Sequence, residues 1–118
     1  MLENVLKEKT AELEPHFKKG FLQRPHTVFQ FNFEDAPAFY LSVEEDNFWF
    51  TEGIAEQSTI QLYIMNHTMC WNLLQGRTDG MQAFMEGQYR ADGNIVLSQL
   101  ILYLFKPDDP TLIYEVKD

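Results

Sequence analysis

AFMEGQYRADGNIVLSQLILYLF, residues 83–105, changes its hydrophobic period twice within one short span. Just upstream, Asp79 and Gln82 have the spacing of a capping box, which opens a brief helix through Met85. Gly87 and Gly93 then bracket enough residues for one strand. Asn94 stands where the N-cap of a last helix belongs, and Pro107, with no amide hydrogen, stops that helix. Leu97, Leu100, Ile101, Leu104 and Phe105 repeat at i, i+3, i+4, i+7 and i+8. That is a broad apolar stripe, and it must lie on a sheet. Residues 94–105 would span only ~18 Å as a helix, too short for a bilayer. Ile95, Leu102 and Tyr103 fall away from the stripe, and three covers suit them: the tail residues Leu112, Ile113 and Tyr114, a second subunit, or a greasy ligand.

Upstream, four segments read as strands. TVFQFNF places Phe29, Phe31 and Phe33 on one face and Gln30 and Asn32 on the other. Phe39, Leu41 and Val43 share a face in the next segment, Phe48 and Phe50 in the third, and Ile60, Leu62 and Ile64 in the fourth. Short loops between them, such as EEDN at residues 44–47, predict an antiparallel meander with one buried face. At the N-terminus Leu2, Val5, Leu6 and Leu13 have helical spacing, with Pro15 interrupting and Gly20 as the stop. Asn66 or Thr68 caps a short helix through Leu74, ended by Gly76, and Asp109-Pro110 suits a last helical turn. The order is helix, four strands, short helices, strand, helix, tail. This is α+β, with helices on one side of a mostly antiparallel sheet.

The totals agree with one domain of 118 residues. The chain is 45% hydrophobic and 23% charged, with ten Phe, five Tyr and two Trp, so it is globular and rich in aromatic volume. A net charge of −9 opposes binding to nucleic acid and to anionic membrane surfaces. The single cysteine, Cys70, leaves no internal disulfide and fits a reducing cytoplasm. No secretory leader is visible at the N-terminus, and EVKD is not a peroxisomal address.

WNLLQG at residues 71–76, AFMEGQYRADGN at 83–94 and the apolar helix after them together resemble the sterol carrier protein type 2 family. That family shows a leucine-rich helix ending in Gly, an Ala-Phe-Met-x-Gly turn into a strand, and an apolar helix ending in Leu-Phe. The resemblance covers residues 60–105 well and the preceding hairpins less closely. It implies a five-stranded, mostly antiparallel sheet with helices packed on one face. It also implies a hydrophobic tunnel between the two layers that takes sterols, fatty acids or fatty acyl-CoA. Arg90 is the only cation in the strand where family members usually carry lysines, and the absent peroxisomal tail points to a bacterial-type stand-alone domain.

These faces supply the candidate lining residues: Phe29, Phe31, Phe48 and Phe50 from the sheet, Trp71 and Leu74 from the middle helix, Phe84 and Met85 from the link, and Leu97, Leu100, Ile101 and Leu104 from the last helix. Phe105, Leu112 and Ile113 are the candidate gate. No reaction is expected. His16, His26 and His67 are far apart, His67 and Cys70 make only a two-ligand fragment, and Cys70 reads as an inert buried thiol. EEDN lacks the spacing of a calcium loop, no carboxylate pair sits in an apolar run, and no glycine-rich phosphate loop or other cofactor motif is present. The expected activity is lipid carriage without chemistry, with no cofactor or metal. The alternative is a non-catalytic accessory module of the same fold, its cavity self-filled. Such a module would dimerise through the outer face of the last helix or present an isoprenoid lipid to partner enzymes.

Overall fold

Period-2 patterning builds the sheet, and a computed structural model describes it within residues 2–106. An N-terminal helix α1 (Leu2–Leu13) ends in a single 3-10 turn, Glu14–His16, where Pro15 forbids further α-helix. The strands β1 (His26–Asn32), β2 (Phe39–Glu44), β3 (Phe48–Glu52) and β4 (Ile60–Ile64) come next. They are followed by α2 (His67–Leu74), α3 (Gly80–Met85), β5 (Tyr89–Gly93) and α4 (Ile95–Leu104). Three helices begin on the side-chain caps expected of them. Asn66 Oδ1 accepts from the Met69 amide at 2.8 Å, Asp79 Oδ1 from Gln82 at 3.1 Å and Asn94 Oδ1 from Leu97 at 3.3 Å. The Asp79 cap is one-sided, because the Gln82 side chain bonds Glu86 instead of reaching back. Gly76 and Gly87, at φ +74° and +75°, turn the chain where a side chain would be strained.

The sheet has five strands in the order β3-β2-β1-β4-β5, and all but one of its pairings are antiparallel. The meander expected for the first four strands is corrected at β4. It lies parallel to β1, with Phe29 beside Ile60 and Phe31 beside Leu62, and does not pair with β3. Residues 53–59 make this possible by crossing the sheet face opposite the Phe29 and Phe31 side chains. Gln30, expected to face solvent, is 1% exposed beneath that crossing. Its Nε2 donates to the carbonyls of Phe39 and Gly53, and its Oε1 accepts from the Ala55 amide at 2.8 Å. A buried amide with every arm occupied holds the crossover in place.

The inner face carries Phe29 and Phe31 from β1, Phe39, Leu41 and Val43 from β2, Phe48 and Phe50 from β3, Ile60, Leu62 and Ile64 from β4, and Tyr89 and Ala91 from β5. These side chains and the buried faces of the helices form one apolar cluster. Leu102, set apart from the α4 stripe, is 6% exposed. Its cover is α3: a Cβ on Gly80 would stand 2.6 Å from the Leu102 methyls. The glycine therefore lets the two helices touch, a source of cover beyond the three that the sequence suggests. Pro107, Asp109, Pro110 and Tyr114 lie outside the described residues.

Candidate ligand site between sheet and helices

Alternation along each strand points aromatic rings up, and the helices return rings down onto them. Over β2 and β3 the rings are dense. Trp71 of α2 stacks on Phe39 at 5.1 Å with planes 6° apart, and meets Phe50 edge-on at 5.5 Å. Phe105, just past α4, meets Phe48 at 4.8 Å, and Phe17 lies 4.9 Å from Phe48. Over β4 and β5 the layer is mainly aliphatic, and among the described residues its one ring pair is Phe84 against Tyr89 at 5.5 Å. Phe84, Ala91 and Leu100 on this side are only partly buried.

Most of the expected lining therefore meets in one layer. Phe29, Phe31, Phe48, Trp71, Leu74, Leu97, Ile101, Leu104 and Phe105 are buried in it, and Phe50, Phe84 and Leu100 pack on its margin. Met85 does not join them. It is 81% exposed, because α3 is only six residues long and buries Ala83, two residues away. Leu112 and Ile113 lie outside the described residues. Tyr89 also belongs to this layer, although it is not among the candidates read from the sequence. Its signal was the alternation Tyr89, Ala91 in the β5 segment, which puts the ring on the inner face opposite Ile64.

Two ends of α4 differ. At its C-terminus Lys18 Nζ donates to the carbonyls of Tyr103 and Lys106, and the Lys18 amide donates to Leu104 O at 3.2 Å. A cation on the last carbonyls opposes the negative end of the helix dipole. At its N-terminus Ile95 and Val96 are exposed. A surface cleft of about 540 Å3 lies where the α2–α3 link meets the end of α4, lined by Leu73, Gly80, Met81, Leu102, Tyr103 and Lys106.

Groups with reactive potential are placed structurally. Cys70 is wholly buried, and that burial pushes its thiol well above the ordinary range. His67 donates from Nε2 to the Pro37 carbonyl at 2.8 Å and sets its ring edge-on to Phe33 and Phe39. His26 stacks on Trp49 on the other side of the sheet. EEDN is a tight hairpin, with the Glu44 amide donating to Asn47 O at 2.8 Å. Among the described residues no three His, Cys, Asp or Glu side chains converge as metal ligands, and no helix is long and apolar enough to cross a membrane.

No family model and no curated protein matches the sequence. Solved structures do match the fold. A ubiquinone synthesis protein, UbiJ-SCP2, superposes with a TM-score of 0.67 at 13% identity, over 86% of this chain and 88% of its own. This chain has the sterol carrier protein 2 fold. Sterol carrier protein 2 like 2 from Aedes aegypti gives a TM-score of 0.55 at 14% identity, over 86% of this chain and 93% of its own. The same fold is found inside an enzyme, the stereoselective inverting sec-alkylsulfatase Pisa1 of a Pseudomonas species, at a TM-score of 0.63 and 14% identity. This chain spans 16% of that enzyme's length.

Proposed function

We propose that this chain binds a lipid between its sheet and its helices and carries it without chemical change. The observation that supports the reading best is the continuous apolar layer under α4, built on the fold that sterol carrier proteins share. Each methylene moved from water into such a layer contributes ~0.8 kcal/mol, so a sixteen-carbon chain offers ~12 kcal/mol gross before ordering and association costs. Micromolar binding tolerates the loss of a third of that total. Space for the chain is best sought over β4 and β5, since interlocked rings occupy the β2–β3 half. Entry then requires α4 to lift at its N-terminal end. Lys18 holds the other end, and Phe105, the expected gate, is locked between Phe17 and Phe48.

Native mass spectrometry on freshly purified protein, with titration of a fluorescent fatty acid and a fluorescent sterol, tests the reading. A co-purified lipid, or saturable micromolar binding, is the expected result. Protein that carries nothing and ignores both probes overturns it.

The same ring packing favours a second reading, an accessory module whose interior is filled by its own side chains. Ile95, Val96 and Tyr103 on the outer side of α4 would then meet a second copy or a partner protein. A ligand-free dimer in native mass spectrometry would select this reading over the first.

A further inference from the structure

Inner-face side chains are apolar with few exceptions, and two of these, Thr27 and Tyr89, have a hydroxyl with no internal partner. Tyr89 is 3% exposed, yet its hydroxyl makes no hydrogen bond. A buried unpaired hydroxyl opposes folding, and phenylalanine would fill the same space without that penalty. Tyr89 packs its ring against the partly buried Phe84 at 5.5 Å, and the small side chain of Ala91 is the next on the inner face of β5. Thr27 Oγ1 is also unpaired, but by strand register it lies six positions away, about 20 Å along the sheet.

We infer that the Tyr89 hydroxyl is the polar anchor of the bound lipid, donating a hydrogen bond to a neutral oxygen of its head, a ketone, ester or quinone carbonyl, while the apolar chain lies beneath α4. The inference rests on the lipid-binding reading and narrows it. A free carboxylate fits this place poorly, because a buried anion needs a countercharge. Arg90 faces the opposite side of the sheet over the Tyr63 ring, 4.8 Å away, Lys18 is engaged with the end of α4, and Lys106 lies over the outward-facing Tyr103 ring, 5.4 Å from its centre. Burial, together with the Tyr103 phenol, pushes the Tyr89 pKa up to about 12, so the hydroxyl stays a neutral donor at physiological pH. Neutral oxygenated lipids are therefore preferred over the fatty acids and acyl-CoA that the sequence suggested.

Displacement of diphenylhexatriene by methyl palmitate, palmitate and hexadecane, from wild type and Tyr89→Phe, tests the anchor. Wild type should prefer methyl palmitate to hexadecane, and Tyr89→Phe should lose that preference by roughly three- to tenfold with hexadecane binding unchanged. The ligand-free variant should also melt at a higher temperature, having lost an unpaired buried group. Equal binding of ester and hydrocarbon by wild type, tightest binding of palmitate, or a parallel loss for all competitors overturns the anchor and leaves lipid binding standing. A less stable Tyr89→Phe chain also overturns it, since the hydroxyl would then have a partner within the fold. Wild type that binds neither reporter nor competitor sinks the anchor and the carrier reading together.

Discussion

Gly80→Ala should destabilise this protein, although the same change in most helices helps. Alanine at a helical position is favoured over glycine by up to about 1 kcal/mol. At Gly80 the new methyl would lie 2.6 Å from both Leu102 methyls and 2.9 Å from Leu102 Cγ, distances at which something must shift. Leu102 cannot swing away cheaply, because it is buried between α3 and the body of α4. Overpacking of this kind typically costs about 1–3 kcal/mol, so after the propensity gain a net loss of up to about 2 kcal/mol remains. Urea denaturation of wild type, Gly80→Ala, Leu102→Ala and the double variant measures it as a cycle. Leu102→Ala alone should cost about 2–5 kcal/mol through the cavity it leaves. In that background Gly80→Ala should become neutral or stabilising, since the methyl now enters vacated space, giving a coupling of at least ~1 kcal/mol. If Gly80→Ala stabilises wild type, or has the same effect in both backgrounds, the α3–α4 contact is not what the glycine serves.

Leu102→Arg forces a charge into the same contact and should unfold the monomer, with a loss of about 4 kcal/mol or more by circular dichroism; a folded chain with only an altered oligomeric state would refute this. Gln30→Leu leaves the Ala55 amide and the Phe39 and Gly53 carbonyls without their partner. A loss of about 2–4 kcal/mol is expected, with faster hydrogen exchange at Ala55, and unchanged exchange would show that the crossover does not depend on this side chain. Cys70 should resist alkylation in native buffer and react once urea unfolds the chain, so rapid native labelling would contradict its burial. Tyr89 has an ordinary pKa of 10.0 and a folded value of about 12, so the neutral phenol's contribution is complete below pH 10 and lost as pH rises toward 12. Wild type should therefore lose more stability than Tyr89→Phe between those pH values, measured as urea midpoints, and parallel losses would refute the shift.

What the sequence disclosed was local. The caps at Asn66, Asp79 and Asn94 act over three residues, so their spacing is enough to place helix starts. Strand faces were legible for the same reason, because alternation assigns Phe29 and Phe31 to one side whatever pairs with them. Strand partners were not. Whether β4 joins β3 or β1 depends on where residues 53–59 travel, and their sequence carries no period to say so. Gln30 shows the consequence: its face was assigned correctly, but only the crossing chain decides that this face is covered. Met85 was drawn inward by the family pattern, whereas the brevity of α3 leaves it outside. Gly80 was invisible as a contact, since a missing side chain signals close approach only when the neighbour is known.

The interior is divided in a way that bears on carriage. Over β2 and β3, Phe39, Phe48, Phe50, Trp71 and Phe105 interlock, and each such ring pair adds about 0.5–1.5 kcal/mol beyond its burial. That half fixes the C-terminal end of α4, which Lys18 also holds. Over β4 and β5 the contacts are mainly aliphatic, lack that web of rings and include an unpaired hydroxyl, so local opening there costs least. A carrier needs both properties in one small core, because a layer soft throughout would lose its fold on releasing its cargo, and one rigid throughout would admit none. Hydrogen exchange should reflect the division directly. Amides of β1 and β2 should open only with global unfolding, and those of β5 and the first turn of α4 by cheaper local events. Uniform protection across all five strands would mean that no soft half exists, and the carrier reading would lose its route for entry.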